Sequence, residues 1–295
     1  MTRKVISLSV VFALIVICAM SALVSCEKAA TIEEDSDDIS GNLRISVHEI
    51  EQTPFASLTR ASEPAANVCT RLNFAVYDMS GSRLKQVNQE KGNANFGVAG
   101  FQLEEGEYQI VVVGHSASGN PTMTNLAKIQ FSNTIGYTDT FLCYDMVTIG
   151  EETEEFEASL DRIVALCRFV ITDDIPSEVK KLRFYYTGGS GAFDAKTGMG
   201  SVASKQDVKF DVVAGQKQFD LYTFLHEPSD EIALKVTALD GSGNELYNRE
   251  FDVPMQQNHI TWLSGAFFNG SSSSSTTITG VTVNTDWAGE TFLTF

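Results

Sequence analysis

Ile163-Val164-Ala165-Leu166-Cys167-Arg168-Phe169-Val170-Ile171 is the stretch that decides the fold. Ile163, Ala165, Cys167, Phe169 and Ile171 recur at every second position. Successive side chains of an extended backbone point to opposite faces, so this period marks a strand with one face in a core. The same pattern returns on either side. Leu43, Ile45 and Val47 alternate with Arg44, Ser46 and His48; Leu72, Phe74 and Val76 alternate with Asn73, Ala75 and Tyr77; Tyr108, Ile110 and Val112 follow suit. No long segment repeats at the helical period, and residues 121–128 hold the one candidate for a short helix. Strands punctuated by Gly, Asn, Asp and Ser turns predict an all-β chain of sandwiches.

The chain has 295 residues, and at about 150 residues per domain that length suits two domains. Leu72–Leu84 aligns without gaps on Leu234–Leu246, each a strand, an Asp-x-x-Gly turn and a returning strand, which points to an internal duplication. The acid-rich Gly150-Glu-Glu-Thr-Glu-Glu155 marks the boundary, since such residues stay solvated as a linker or an exposed strand end. Ser271–Ser275 is a second polar stretch, followed by an expected last strand pair at about 277–283 and 291–295.

The N-terminus reads as a targeting signal. Arg3 and Lys4 precede an apolar run from Val5 to Leu23. The run ends in Leu23-Val24-Ser25-Cys26, which resembles a bacterial lipobox with Cys26 as the acylated residue. The next residues, Glu33-Glu34-Asp35-Ser36-Asp37-Asp38, read as a solvated spacer or as an export tag. The expected organisation is a lipoprotein signal peptide at 1–25, an acidic lipidated linker at 26–41, and sandwiches at 42–152 and 153–295.

A formal net charge of −17 argues against nucleic acid and against polybasic membrane attachment. With four His and five Cys along the whole chain, neither a metal cluster nor a cofactor is expected. No Gly-x-Ser-x-Gly and no His-Glu-x-x-His occurs, and Ser190, His226 and His259 have no partner residues in sequence. No catalytic residue is therefore assigned, and the chain reads as a non-enzyme. Cys69 and Cys143 share a domain of an exported chain and form a candidate disulfide. Cys69 falls on the side of its strand opposite Leu72, Phe74 and Val76, while Cys167 reads as a core residue. Trp262 and Trp287 read as packing residues or as sugar-stacking platforms.

Several segments resemble the Bacteroidetes fimbrillins. These are Leu160–Pro176, Phe193-Asp-Ala-Lys-Thr-Gly198, Thr223-Phe-Leu-His226, Val253–Gly265 and Val283-Asn-Thr-Asp286-Trp287, with Leu72–Gly81 and Leu103–Gly114 in the first half. The chain departs from that pattern at Gln257, where relatives often carry Arg. The resemblance implies two tandem transthyretin-like Greek-key β-sandwiches and a subunit of a type V pilus, of anchor, accessory, stalk or tip type. It implies an outer-membrane lipoprotein exposed at the cell surface, joined to other fimbrial subunits by strand exchange, with host surface ligands as further partners. The exchanged first strand would carry Leu43, Ile45 and Val47, and Arg60 in Ser57-Leu-Thr-Arg60-Ala-Ser62 is the candidate cleavage residue. An uncut Arg60 suits the anchor, and a cut one suits a stalk or tip subunit.

Overall fold

The computed structural model describes residues 39–47, 49–52, 61–132, 136–269, 277–278 and 288–295. Cys26, Arg60 and Trp287 lie outside the described residues. The first half contains β1 (Leu43–Ser46), β2 (Glu49–Gln52), β3 (Ala61–Pro64), β4 (Arg71–Tyr77), β5 (Arg83–Glu90), β6 (Val98–Phe101), β7 (Gly106–His115), β8 (Thr122–Asn125), β9 (Lys128–Gln130), β10 (Thr140–Ile149), β11 (Glu154–Glu157) and β12 (Asp161–Arg162). The second contains β13 (Ala165–Ile171), β14 (Lys181–Thr187), β15 (Gly189–Ser190), β16 (Ala192–Phe193), β17 (Gln206–Asp211), β18 (Gln218–Leu225), β19 (Ser229–Leu239), β20 (Glu245–Gln256), β21 (His259–Gly265), β22 (Thr277–Ile278) and β23 (Gly289–Thr294). Ala65–Val68 forms a single helical turn.

Each half is a sandwich. In the first, the sheet β11-β1-β6 faces β12-β10-β7-β4-β5; in the second, β15-β18-β13-β21-β23-β22 faces β17-β14-β19-β20. The two repeat one topology. β1 lies antiparallel to β6 and parallel to β11, and β13 lies antiparallel to β18 and parallel to β21. The opposite sheets correspond as β5-β4-β7-β10 and β17-β14-β19-β20.

The aligned hairpins are not equivalent positions in that repeat. β4–β5 pairs with the later β7, whereas β19–β20 pairs with the earlier β14. Their similarity lies in the turn. Asp78 Oδ1 accepts the Ser80 and Ser82 amides, and Asp240 Oδ1 accepts those of Ser242 and Asn244. Gly81 and Gly243 share φ of 87°, a left-handed conformation suited to glycine. One turn chemistry thus serves two different hairpins, and the duplication resides in the topology.

The acidic boundary runs as an exposed strand. β11 and β12 still pair with β1 and β10, so the change of sandwich comes after Arg162, later than position 153. Glu154, Glu155 and Glu157 project into solvent from the outer strand, where charge discourages unwanted pairing. Residues 122–130 form a hairpin instead of a helix. Asn125 Oδ1 accepts the Ala127 amide at the turn, and Met123, Leu126 and Ile129 are buried.

Three cores result. One fills the first sandwich around Phe74 and Phe141, and one fills the second around Phe169 and Phe184. The third joins the halves, with Ala75, Tyr77 and Val111 meeting Leu166, Phe224 and Ile260. β4 is therefore buried on both faces, against the one-sided burial that its alternation predicts. β16 of the second half also extends the β8–β9 hairpin. A buried ion pair sits at the same junction. Arg162 donates to both Asp139 oxygens at 2.7 and 2.8 Å and to Asn258 Oδ1 at 3.2 Å. Gln257 donates to the carbonyls of Ile163 and Gly198 and so docks the β20–β21 turn beside it.

Candidate functional site

β1 is short, yet it sits in the middle of its sheet. Leu43 and Ile45 are fully buried and Val47 nearly so, all in the core with Phe74 and Phe141. The register places Leu43 against Phe101 and Glu154, and Ile45 against Ala99 and Phe156. Backbone bonds continue past both ends: the Glu154 amide donates to Asn42 O at 2.9 Å, the Ala158 amide to Ser46 O at 2.8 Å, and the Val47 amide to Gly97 O at 2.7 Å.

The start of the strand is clamped. Asn42 Nδ2 donates to Leu103 O at 3.0 Å, and its Oδ1 accepts the Leu103 amide at 2.9 Å. Gly41 approaches so closely that a Cβ there would lie 2.2 Å from Phe101 O. Beyond β1, Ile50 of β2 is buried and bridges Leu160 in parallel. β2 then pairs antiparallel with β3, from Glu49↔Pro64 to Gln52↔Ala61. Ala61 is the first residue of β3.

The energetics of this segment follow from burial. Leu43, Ile45, Val47 and Ile50 each contribute roughly 1.5–3 kcal/mol, or together at most about 6–12 kcal/mol. Removing β1 also strips one edge of β6 and one of β11 of their hydrogen-bond partners. β1 thus supplies both a ladder and a buried apolar row to the first sandwich, and it places no reactive side chain.

The other candidates resolve into packing. Cys69 and Cys143 are not disulfide-bonded, in correction of the expected pairing. Cys69 precedes β4 and turns into the same core as Leu72, Phe74 and Val76, against the side that alternation assigns it. Burial pushes the Cys69 and Cys167 thiols up to about 12 and that of Cys143 to about 11, so all three stay protonated and unreactive near neutral pH.

Ser190 Oγ donates to Ala192 O at 2.6 Å and accepts the Ala192 and Val202 amides, which makes it a turn brace. His226 and His259 bond backbone carbonyls through Nδ1. Trp262 is half-buried and flanked on its ring: Phe292 stacks at 5.6 Å between centroids, and the Arg168 guanidinium lies 4.9 Å from the ring centre. Neither arrangement leaves an indole face as a sugar platform. Among the described residues, no group of three or more His, Cys, Asp or Glu could hold a metal ion.

Sequence reading passed over His115. Its Nδ1 accepts the Ala117 amide at 3.1 Å, so Nε2–H donates to Asn73 Oδ1 at 2.8 Å. Burial, with Arg71 nearby, lowers its pKa to about 4. Only a valine-rich strand surrounds it in the sequence, and the flanking strands β4 and β10, with Phe131 edge-on to the ring, supply the burial.

A family model described as a family of unknown function, DUF6562, matches residues 36–294. No curated protein matches the chain. Among solved structures, a candidate cell adhesion protein of Bacteroides ovatus is similar at 13% identity and a TM-score of 0.47, over 83% of this chain and 97% of that one. The fimbrial anchor protein Mfa2 of Porphyromonas gingivalis is similar at 16% identity and 0.41, over 70% and 80%. A fimbrial assembly protein of Parabacteroides distasonis is similar at 12% identity and 0.41, over 85% and 97%.

Proposed function

This chain belongs to the DUF6562 family of unknown function, and from that premise we propose that it is a structural, non-enzymatic subunit of a cell-surface fimbria. In this reading Cys26 carries the lipid that holds it at the outer membrane, and it joins other fimbrial subunits by donor-strand exchange. The anchor or accessory role follows if the bond after Arg60 stays intact. A stalk or tip role follows if that bond is cut.

The observation that carries the reading is the place of β1. It is a central strand with a fully buried face, yet it is the first of the described strands in the chain, and it and β2 both precede the Arg60–Ala61 bond. A cut after Arg60 leaves β1 and β2 held by non-covalent contacts alone. Departure of β1 opens a slot between β6 and β11 with unpaired backbone on both sides and apolar pockets opposite Ala99 and Phe156. An incoming strand with alternating apolar side chains restores both the ladder and the core.

The test is the N-terminus of the protein isolated from the cell surface, together with its assembly state. Acylated Cys26 is expected for an anchor, and Ala61 as first residue for a polymerising subunit. A chain that stays monomeric and outside fibres in both forms overturns the reading.

A further inference from the structure

β1 and β13 hold equivalent central places, but the strands beside them are secured differently. In the second sandwich β21 lies between β13 and β23, with a ladder on each side. Its counterpart β11 ends its sheet, and its one ladder is with β1. Among the described residues, the backbone bonds of this segment all go to β1 and the residues next to it. The Glu154 amide donates to Asn42 O at 2.9 Å and the Ala158 amide to Ser46 O at 2.8 Å, and Leu160 bridges Ile50.

β6, on the other side of β1, has a second hold. The buried Gln89 of β5 donates from Nε2 to Val98 O at 2.7 Å and accepts the Gly97 amide on Oε1 at 2.9 Å. β5 belongs to the facing five-stranded sheet, so β6 stays tied to that sheet whether or not β1 is in place. The position of β1 thus has one wall fixed by the fold and one wall that depends on the strand itself.

The segment containing β11 is fastened at its two ends. Before it, Ile149 of β10 pairs with Gly106; after it, β12 pairs with β10 and Arg162 grips Asp139. A Cβ on Gly150 would meet nothing, so the chain is unobstructed where it leaves β10. Between these ends, Phe156 and Ala158 pack on the first core, while Glu151, Glu152, Glu154, Glu155 and Glu157 are exposed. Five carboxylates in seven positions repel one another and keep a detached segment extended in water. The cation facing them from β1 is Arg44, which is in register with Glu155 and has Nη1 3.9 Å from its Oε1.

We propose that residues 150–160 form a flap that closes on the strand seated against β6 and favours a basic side chain opposite Glu155. The strand docks first on β6, whose edge is already in place. β11 then folds over it as the third strand, bringing Phe156 and Ala158 onto the core. A carboxylate at the Arg44 position would face Glu155 and weaken closure. Use of the flap in assembly rests on the strand-exchange reading; the flap itself belongs to the uncut chain.

Residue-resolved hydrogen exchange on the full chain in mild detergent tests it. The Glu154 and Ala158 amides report the β1–β11 side, and the Val47 amide, bonded to Gly97 O, reports the β1–β6 side. The first two should exchange about tenfold or more faster than the third, since β11 opens without β1 leaving. At low salt, Arg44→Glu should speed Glu154 and Ala158 by a further factor of about three or more and leave Val47 unchanged. Arg44 is half-exposed on the outer face, so this variant leaves the core intact. Adding Glu155→Arg should restore the parent rates. Equal exchange at all three amides overturns the flap, as does equal acceleration of Val47 in Arg44→Glu. Failure of the charge swap to restore the rates overturns the preference for a basic residue. A flap that opens as expected in a chain that never joins fibres stands, while the strand-exchange reading falls.

Discussion

Replacing Ile45 by alanine tests the central position of β1 directly. Ile45 is fully buried, with Ala99 on one side and Phe156 on the other, and its neighbour Ser46 faces away at partial exposure. Ile45→Ala removes three carbons from a core that cannot collapse around β1 while both neighbouring ladders hold. The loss should be about 2–5 kcal/mol. In a cooperative unit of this size, 1 kcal/mol shifts Tm by roughly 2–4 °C, so the midpoint should fall by roughly 4–20 °C. Ser46→Ala, one residue along and on the other face, should stay within about 0.5 kcal/mol. Differential scanning calorimetry of the three proteins reads both numbers. Equal shifts for the two variants, or an Ile45→Ala loss below about 1 kcal/mol, would refute the burial argument and with it the strand-exchange reading.

The junction between the sandwiches should depend on Arg162, and Arg162→Ala should destabilise by about 3–5 kcal/mol in chemical denaturation, because it leaves Asp139 without its partner. Alkylation of the denatured chain without reductant should label Cys69, Cys143 and Cys167 as fully as with reductant, as read by peptide mass spectrometry; a protected Cys69–Cys143 pair contradicts the structure. His115 should titrate near 4 by NMR instead of near its ordinary 6.5. Because the unfolded chain takes up that proton first, the contribution of His115 is complete above pH 6.5 and is lost as pH falls toward 4. The loss approaches about 3 kcal/mol, and His115→Gln should flatten that part of the profile.

Local chemistry carried much of the fold. The alternation of Ile163 to Ile171 placed Ala165, Cys167, Phe169 and Ile171 in one core, as the strand β13 shows. Leu43, Ile45 and Val47 were legible as an inward face for the same reason. Cys69 was misplaced because alternation holds only within a strand, and Cys69 lies before β4 begins. The candidate helix at 121–128 failed because two tertiary neighbours, β16 and the joint core, stabilise a hairpin there. The aligned hairpins looked like a repeat because an Asp-x-x-Gly turn satisfies its own amides wherever it occurs.

The sequence alone determined many of the strands, which face of most of them is apolar, and where the Asp-x-x-Gly turns fall, since period-2 patterning and turn capping act over a few residues. The tertiary structure decided which strands lie side by side. Backbone ladders are nearly the same for any pair of strands, so nothing local says that β1 belongs between β6 and β11. It also decided that β4 is buried twice, that Arg162 meets Asp139 and Asn258, and that β11 has a ladder on one side only. Each of these depends on side chains brought together from distant parts of the chain, where only the packed cores select among the pairings that hydrogen bonding permits.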